Sequence, residues 1–312
     1  MLNIPRNGIT PPLVTPLVTA DQLDVTGFAN IAERSINAGV TGLFVLGTTG
    51  EGPSLSQQLK REVIKRCCEI AGGRVPVLAG LLEASTDDGL RLADFSADMG
   101  ATALVLTPPF YFPISQDAVL RYAERLIPRL PLPVFLYNIP VFTKVALEPE
   151  TLARLAQLPN VCGIKDSGGD LAKLARTRAL LPGVPILWGP EEVLLEAMEA
   201  GADGGVNGGA NLFPELFVAL YESIRSGQKQ RARALQDLVC RIGCEVYGAA
   251  PDGPGFLYGI KCALEVLGIA SGLPAEPLTA LDGPLREQVR IAIIEIKRLA
   301  ADIQVSTARR LP

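Results

Sequence analysis

Eight short apolar runs, separated by amphipathic stretches, punctuate the first 226 residues of this 312-residue chain. They are Ile9–Leu17, Gly42–Leu46, Val75–Ala79, Ala103–Leu106, Val134–Tyr137, Val161–Lys165, Ile186–Trp188 and Gly204–Val206. Most are apolar throughout rather than alternating, the pattern of parallel strands covered on both faces. Between them Phe28–Ala38, Leu59–Ala71 and Leu90–Met99 carry apolar residues at helical spacing, and Ser85-Thr86-Asp87-Asp88 has the form of a capping box. One helix-to-strand turn recurs three times, as Ala38-Gly39-Val40-Thr41, Met99-Gly100-Ala101-Thr102 and Ala200-Gly201-Ala202-Asp203. Glycine just past a helix end closes the last turn in the left-handed conformation. Repeated βα units, eight in number, predict a closed (β/α)8 TIM barrel over residues 1–226. The competing open, doubly wound sheet normally binds a nucleotide through Gly-x-Gly-x-x-Gly or a P-loop, and neither motif occurs.

After Gly227 the pattern is helical only, over Gln230–Tyr247, Phe256–Leu267 and Pro284–Ile303, with a Pro- and Gly-rich loop at Ser271–Pro284. Residues 227–312 are therefore expected to form a three-helix extension packed on the barrel, with a tail from Val305 to Pro312 that frays. A chain of this length buries roughly 75% of its unfolded surface and needs no disulfides. The six cysteines form no framework; Cys67-Cys68 and the Cys240/Cys244 pair fall on helical patterns and read as buried apolar thiols. Met1–Gly8 has no apolar core of a signal peptide, and no run approaches the ~18–20 apolar residues of a membrane span. A soluble cytoplasmic protein is expected. With 29 basic against 33 acidic residues, the chain lacks the positive field that nucleic-acid binding uses.

The chain contains no histidine. That excludes Ser/His and Cys/His nucleophiles and His-ligated metal sites together. Barrels of this kind place their chemistry at the C-terminal ends of the strands. Those ends read Gly47-Thr48-Thr49-Gly50-Glu51, Thr107-Pro108-Pro109-Phe110-Tyr111, Tyr137-Asn138-Ile139-Pro140, Gly163-Ile164-Lys165-Asp166-Ser167, Gly189-Pro190-Glu191-Glu192 and Asn207-Gly208-Gly209. Of eight lysines, only Lys165 ends an apolar strand; Lys60, Lys65, Lys173 and Lys297 read as solvated helix residues, and Lys261 lies on the extension. An amine in the barrel mouth loses its charged form to desolvation and becomes able to attack a carbonyl as a Schiff-base nucleophile. The alternative is a strand-end lysine paired with Asp166. The Thr48-Thr49 turn offers consecutive N–H groups and two hydroxyls for a carboxylate, or is an ordinary capped turn. Tyr137 is a proton carrier or a core aromatic with a satisfied hydroxyl. Together these groups describe imine chemistry on a 2-oxo acid; a non-catalytic 2-oxo acid binding protein is the rival reading.

Gly47–Glu51, Tyr137–Pro140 and Gly163–Ser167, in this order and spacing, resemble the dihydrodipicolinate synthase/N-acetylneuraminate lyase family of class I aldolases, a likeness covering essentially the whole chain. The resemblance implies a (β/α)8 barrel lyase, usually a homotetramer built as a dimer of dimers. It implies an imine between Lys165 and pyruvate, and a proton relay through Tyr137, with the Thr49 hydroxyl linking it to Tyr111, whose counterpart reaches across a subunit contact. The backbone of Thr48 and Thr49 would hold the substrate carboxylate, with Val206 and Asn207 beside the pyruvyl group and Glu191 toward the aldehyde half. No metal or organic cofactor is implied, because the lysine is the electron sink. Dihydrodipicolinate synthases generally carry an arginine two residues after the proline matching Pro140; here Phe142 stands there, and it cannot donate to a second carboxylate. Gly47–Leu55 looks similar to 2-keto-3-deoxygluconate-type aldolases. The expected reaction is reversible aldol cleavage of a 2-oxo-3-deoxy sugar acid to pyruvate and an aldehyde, with 4-hydroxy-tetrahydrodipicolinate synthase or a related 2-oxo acid dehydratase as alternatives.

Overall fold

In the computed structural model, which describes residues 4–249 and 254–308, eight parallel strands form one sheet. They are β1 (Gly8–Ile9), β2 (Leu43–Val45), β3 (Val77–Leu81), β4 (Ala103–Leu106), β5 (Val134–Asn138), β6 (Val161–Asp166), β7 (Ile186–Trp188) and β8 (Gly204–Gly205). Hydrogen-bonded neighbours follow the order β1-β8-β7-β6-β5-β4-β3-β2. The ring closes where Pro12 bridges Phe44, with Leu13 N donating to Phe44 O (2.7 Å) and Phe44 N to Pro11 O (3.0 Å). The result is a TIM barrel.

The first strand is shorter than its apolar run predicts. Pro11, Pro12 and Pro16 have no N–H for a ladder, so regular pairing stops at Ile9. Leu17–Thr19 instead joins Gln22–Leu23 in a small antiparallel hairpin. The third strand is shifted two residues toward the C-terminus, to Val77–Leu81.

Eight helices cover the ring: α1 (Val25–Asn37), α2 (Gln57–Ala71), α3 (Thr86–Asp98), α4 (Gln116–Leu126), α5 (Pro149–Leu155), α6 (Leu171–Leu180), α7 (Leu194–Glu199) and α8 (Pro214–Arg225). Ser56, Ser85 and Ser115 cap α2, α3 and α4 by accepting from the N–H of Leu59, Asp88 and Ala118. Gly39, Gly100 and Gly201 close α1, α3 and α7 at φ 88°, 89° and 115°, a region unfavourable to a side chain. The continuous apolar runs are explained by two dry environments. Outward residues such as Leu43, Leu104, Leu136 and Ile164 pack under the helices, while Phe44, Val105, Phe135, Tyr137 and Leu187 fill the barrel interior.

Three further helices follow: α9 (Lys229–Arg241), α10 (Gly255–Val266) and α11 (Gly283–Ala308). A π-helical turn, Ile242–Val246, and a 3-10 turn, Tyr247–Ala249, continue α9. α9 packs on α8, and α11 packs on the π-helical turn. The last helix runs five residues past the expected end at Ile303. Of the segments expected to be a frayed tail and a leaderless start, residues 309–312 and 1–3 lie outside the described residues. Lys60, expected on a solvated face, is buried and paired with Glu83 at 2.5 Å. Among the described residues no helix is long and apolar enough to cross a membrane.

Candidate active site

The register of β5 and β6 decides where Lys165 points. Tyr137 pairs with Lys165, and Asn138 with Asp166. Side chains alternate along a strand, so the first pair shares the barrel interior and the second faces the other way. Asp166 therefore does not pair with its neighbour. Its Oδ1 accepts from Asn138 Nδ2 (2.9 Å) and Gly168 N (2.8 Å).

Lys165 is buried at the barrel mouth, with Nζ 3.5 Å from the centroid of the Tyr137 ring and 5.1 Å from that of Phe44. Burial drives its pKa well below the usual lysine range, against a smaller opposing pull from the Asp166 charge. The amine thus reaches its neutral, nucleophilic form far more readily than a solvated lysine.

A cavity of about 290 Å³ opens above the amine, lined by Thr48, Thr49, Tyr137, Lys165, Ser167, Glu191, Glu192 and Val206 among others. The Tyr137 hydroxyl lies 3.3 Å from Thr48 Oγ1. Burial pushes the phenol up to about 12, against hydrogen bonds from the Thr48 and Ser167 side chains, so it is a neutral phenol at rest. The partner expected from the resemblance was Thr49; the hydroxyl within reach is that of Thr48. The turn's geometry explains the exchange, because consecutive residues project in different directions and Thr49 turns its buried side chain elsewhere along the wall. Among the described residues, the N–H groups of Thr48 and Thr49 have no intramolecular acceptor.

Two predicted residues stand apart from the wall. Asn207 is fully buried and its Nδ2 donates to Trp188 O (3.3 Å) and Gly189 O (3.0 Å), tying the end of β8 to that of β7. Tyr111 is 78% exposed at φ 79°, its ring edge-on to Phe112 at 4.9 Å. Within one chain it does not line the cavity.

The extension adds a residue that sequence reasoning missed. Tyr247 lines the cavity and donates from its hydroxyl to Glu191 Oε1 at 2.7 Å, while Gly209 N donates to Oε2 at 2.9 Å. Gln236 Nε2 holds the Glu191 carbonyl at 2.9 Å. No local pattern marks Tyr247, which reaches the site only because the π-helical turn of the extension folds over the mouth. Burial, opposed by the Gly209 N–H and reinforced by Glu192, raises the Glu191 carboxyl to about 7.

The model of the dihydrodipicolinate synthetase family matches residues 5–296. The chain belongs to that family. A 4-hydroxy-tetrahydrodipicolinate synthase of Hyphomonas neptunium is 34% identical, over 92% of this chain and 97% of its own. A DapA-like lyase of Halobacterium salinarum is 36% identical, over 88% and 89%. The solved dihydrodipicolinate synthase of Bacteroides thetaiotaomicron superposes with TM-score 0.91 at 43% identity, covering 94% of this chain and 99% of that one. YagE of E. coli K12, solved in complex with pyruvate, gives TM-score 0.87 at 29% identity, covering 93% and 98%. As a member of the dihydrodipicolinate synthetase family the chain is an enzyme, a lyase of the aldolase class.

The buried Glu191 carboxyl makes the stability of the fold depend on pH. Its folded pKa of about 7 lies above the ordinary 4.5, so the folded state holds a proton that the unfolded state has released between those values. Stability is full below 4.5 and falls as pH rises through 7, by about 3 kcal/mol in all. Scanning calorimetry at pH 5 and pH 8 should show a larger drop in melting temperature for the parent enzyme than for Glu191→Gln, which has no such proton to lose. Equal drops would mean the carboxyl is ordinary.

Proposed function

We propose that this enzyme catalyses reversible aldol cleavage of a 2-oxo-3-deoxy sugar acid, of the 2-keto-3-deoxygluconate kind, to pyruvate and an aldehyde. The observation that carries the reading is the charge on the cavity wall. Lys165 is the only basic residue among the described lining residues, and Glu191, Glu192, Ser167 and the hydroxyls of Thr48 and Tyr247 face the same space. Such a wall suits a substrate with one carboxylate and several hydroxyls. A second carboxylate would meet two acids and Phe142, with no donor fork to receive it. The pyruvate bound by the family member YagE supports the pyruvyl half.

The neutral amine of Lys165 attacks the keto carbon, and the Tyr137 phenol gives the proton with which the keto oxygen leaves as water, so that an iminium that withdraws electrons from C3 forms beside a phenolate. The C4 hydroxyl passes its proton to the Tyr137–Thr48 pair as the C3–C4 bond breaks. The bonding electrons enter the iminium, leaving an enamine and the free aldehyde. Protonation at C3 and hydrolysis then release pyruvate and restore the amine. The carboxylate sits on the unpartnered N–H groups of Thr48 and Thr49, with Val206 beside the pyruvyl group. The enzyme assembles as a homotetramer, a reading supported by the exposed Tyr111–Phe112 pair at the mouth.

The names of the synthase relatives favour a second reading, condensation of pyruvate with aspartate semialdehyde. A pyruvate-release screen over sugar acids, with that condensation run alongside, separates the two. Release from a 2-oxo-3-deoxy sugar acid with no condensation is expected; condensation without release would overturn the proposal.

A further inference from the structure

The turn that carries Thr48 and Thr49 is held from outside the barrel. It runs from Leu46 at φ 59° to Glu51 at φ 55°, two non-glycine residues in the left-handed region, where a Cβ is crowded. Backbone in this state persists only where the surroundings fix it. The packing is close on both sides: a Cβ added at Gly52 would lie 2.2 Å from Leu46 O, and one at Gly50 would lie 2.8 Å from Leu13 O.

What fixes the turn is a lysine 210 positions further along the chain, on α10. Lys261 is 1% exposed and its Nζ meets the Glu51 carboxylate. The same nitrogen donates to Thr15 O at 2.9 Å and to Leu273 O at 2.7 Å. Thr15 in turn donates from Oγ1 to Gly50 O at 2.8 Å. Ala275 N donates to the other Glu51 oxygen at 2.7 Å. One ammonium thus reaches the turn by two routes, through the Glu51 side chain and through the Thr15 segment that grips Gly50.

A buried ion pair of this sort is a poor way to gain stability, since apolar residues of equal volume often serve as well. Its value lies in geometry: the ammonium is fixed by two carbonyls and a carboxylate, and the carboxylate by the ammonium and the Ala275 N–H. We propose that Lys261 is a positioning residue of the active site, which acts through Glu51 and Thr15 to set the Thr48 and Thr49 N–H groups for capture of the 2-oxo acid carboxylate. This rests on the imine reading of the site. It also makes the helical extension a working part of the catalytic cavity and not only a cover for the barrel.

The test uses Glu51→Gln, which keeps the side chain's shape, and the neutral pair Glu51→Gln with Lys261→Met. Two quantities are read in the full-length protein. The first is the pyruvate concentration giving half-maximal labelling of Lys165 by borohydride. The second is amide deuterium exchange across residues 47–52, with exchange in β5 and β6 as the internal control. Both variants should need about tenfold more pyruvate for half-labelling and should exchange the turn about tenfold faster, while saturating pyruvate still labels Lys165 and β5 and β6 stay protected. A general loss of stability would move the control strands as well. Half-labelling and turn exchange within about twofold of the parent in folded Glu51→Gln would overturn the proposal, and that single variant decides if the paired one does not fold. Failure of the parent itself to be labelled would instead refute the imine reading, and the exchange measurement would still judge the role of Lys261.

Discussion

Lys165→Ala should abolish turnover, by at least about 10⁴-fold, and with it the mass that pyruvate and borohydride add to the parent enzyme. The size of the effect follows from the chemistry. Without the amine there is no covalent electron sink, and nothing else in the cavity can take that part. The other cavity groups are hydroxyls and carboxyls, which bind or move protons. Lys165→Arg should fail equally, because a guanidinium stays charged and cannot attack a carbonyl. A wild-type enzyme that acquires no adduct, or an alanine variant that turns over normally, would remove Lys165 from the mechanism.

The same substitution site carries a stability effect of opposite sign. Burial lowers the folded pKa of the amine below its unfolded value, so the folded state gives up proton affinity that the unfolded chain retains. That cost to stability is fully present below the lowered folded pKa and fades as pH rises toward the ordinary 10.5. Lys165→Met, similar in length and uncharged, should therefore melt about 2–4 °C higher than the parent at pH 7 while being inactive. An inactive variant that is also destabilised would argue that the lysine is held by favourable contacts instead of being kept against a desolvation cost.

Tyr137→Phe should lower kcat by about 10²–10⁴-fold while leaving pyruvate trapping on Lys165 intact. The phenol is fully buried, lies over the amine, and is pushed up to about 12, so it serves as a neutral donor whose proton can be exchanged with Thr48. Removing the oxygen keeps the ring under Nζ and takes away only the proton path. Thr48→Val should reproduce part of this loss. Unchanged kinetics in Tyr137→Phe would make the residue a piece of barrel packing.

Much of this was legible along the chain. Continuous apolar runs separated by helical patterns specify buried parallel strands because water has no face to solvate, and the recurring glycine turns fix where each unit ends. Lys165 could be singled out because a lysine closing an apolar strand has no solvated alternative. The proline-broken first strand shows the limit of that logic, since apolar character says where a segment is buried but hydrogen-bonding capacity says whether it pairs. Lys60 and Lys261 look like ordinary helix lysines in sequence, yet both are buried against carboxylates supplied by distant segments.

The sequence by itself determined the fold, the family and the lysine that ends an apolar strand at the barrel mouth, because each depends on local pattern or on residues close together in the chain. Only the tertiary structure decided that Asp166 turns away from Lys165, that Thr48 and not Thr49 meets Tyr137, that Tyr247 of the extension lines the cavity, and that Lys261 of the extension pairs with Glu51. These are matters of strand register and of contacts between segments tens to hundreds of residues apart. No local propensity encodes them; they exist only once the barrel has closed and the extension has packed on it.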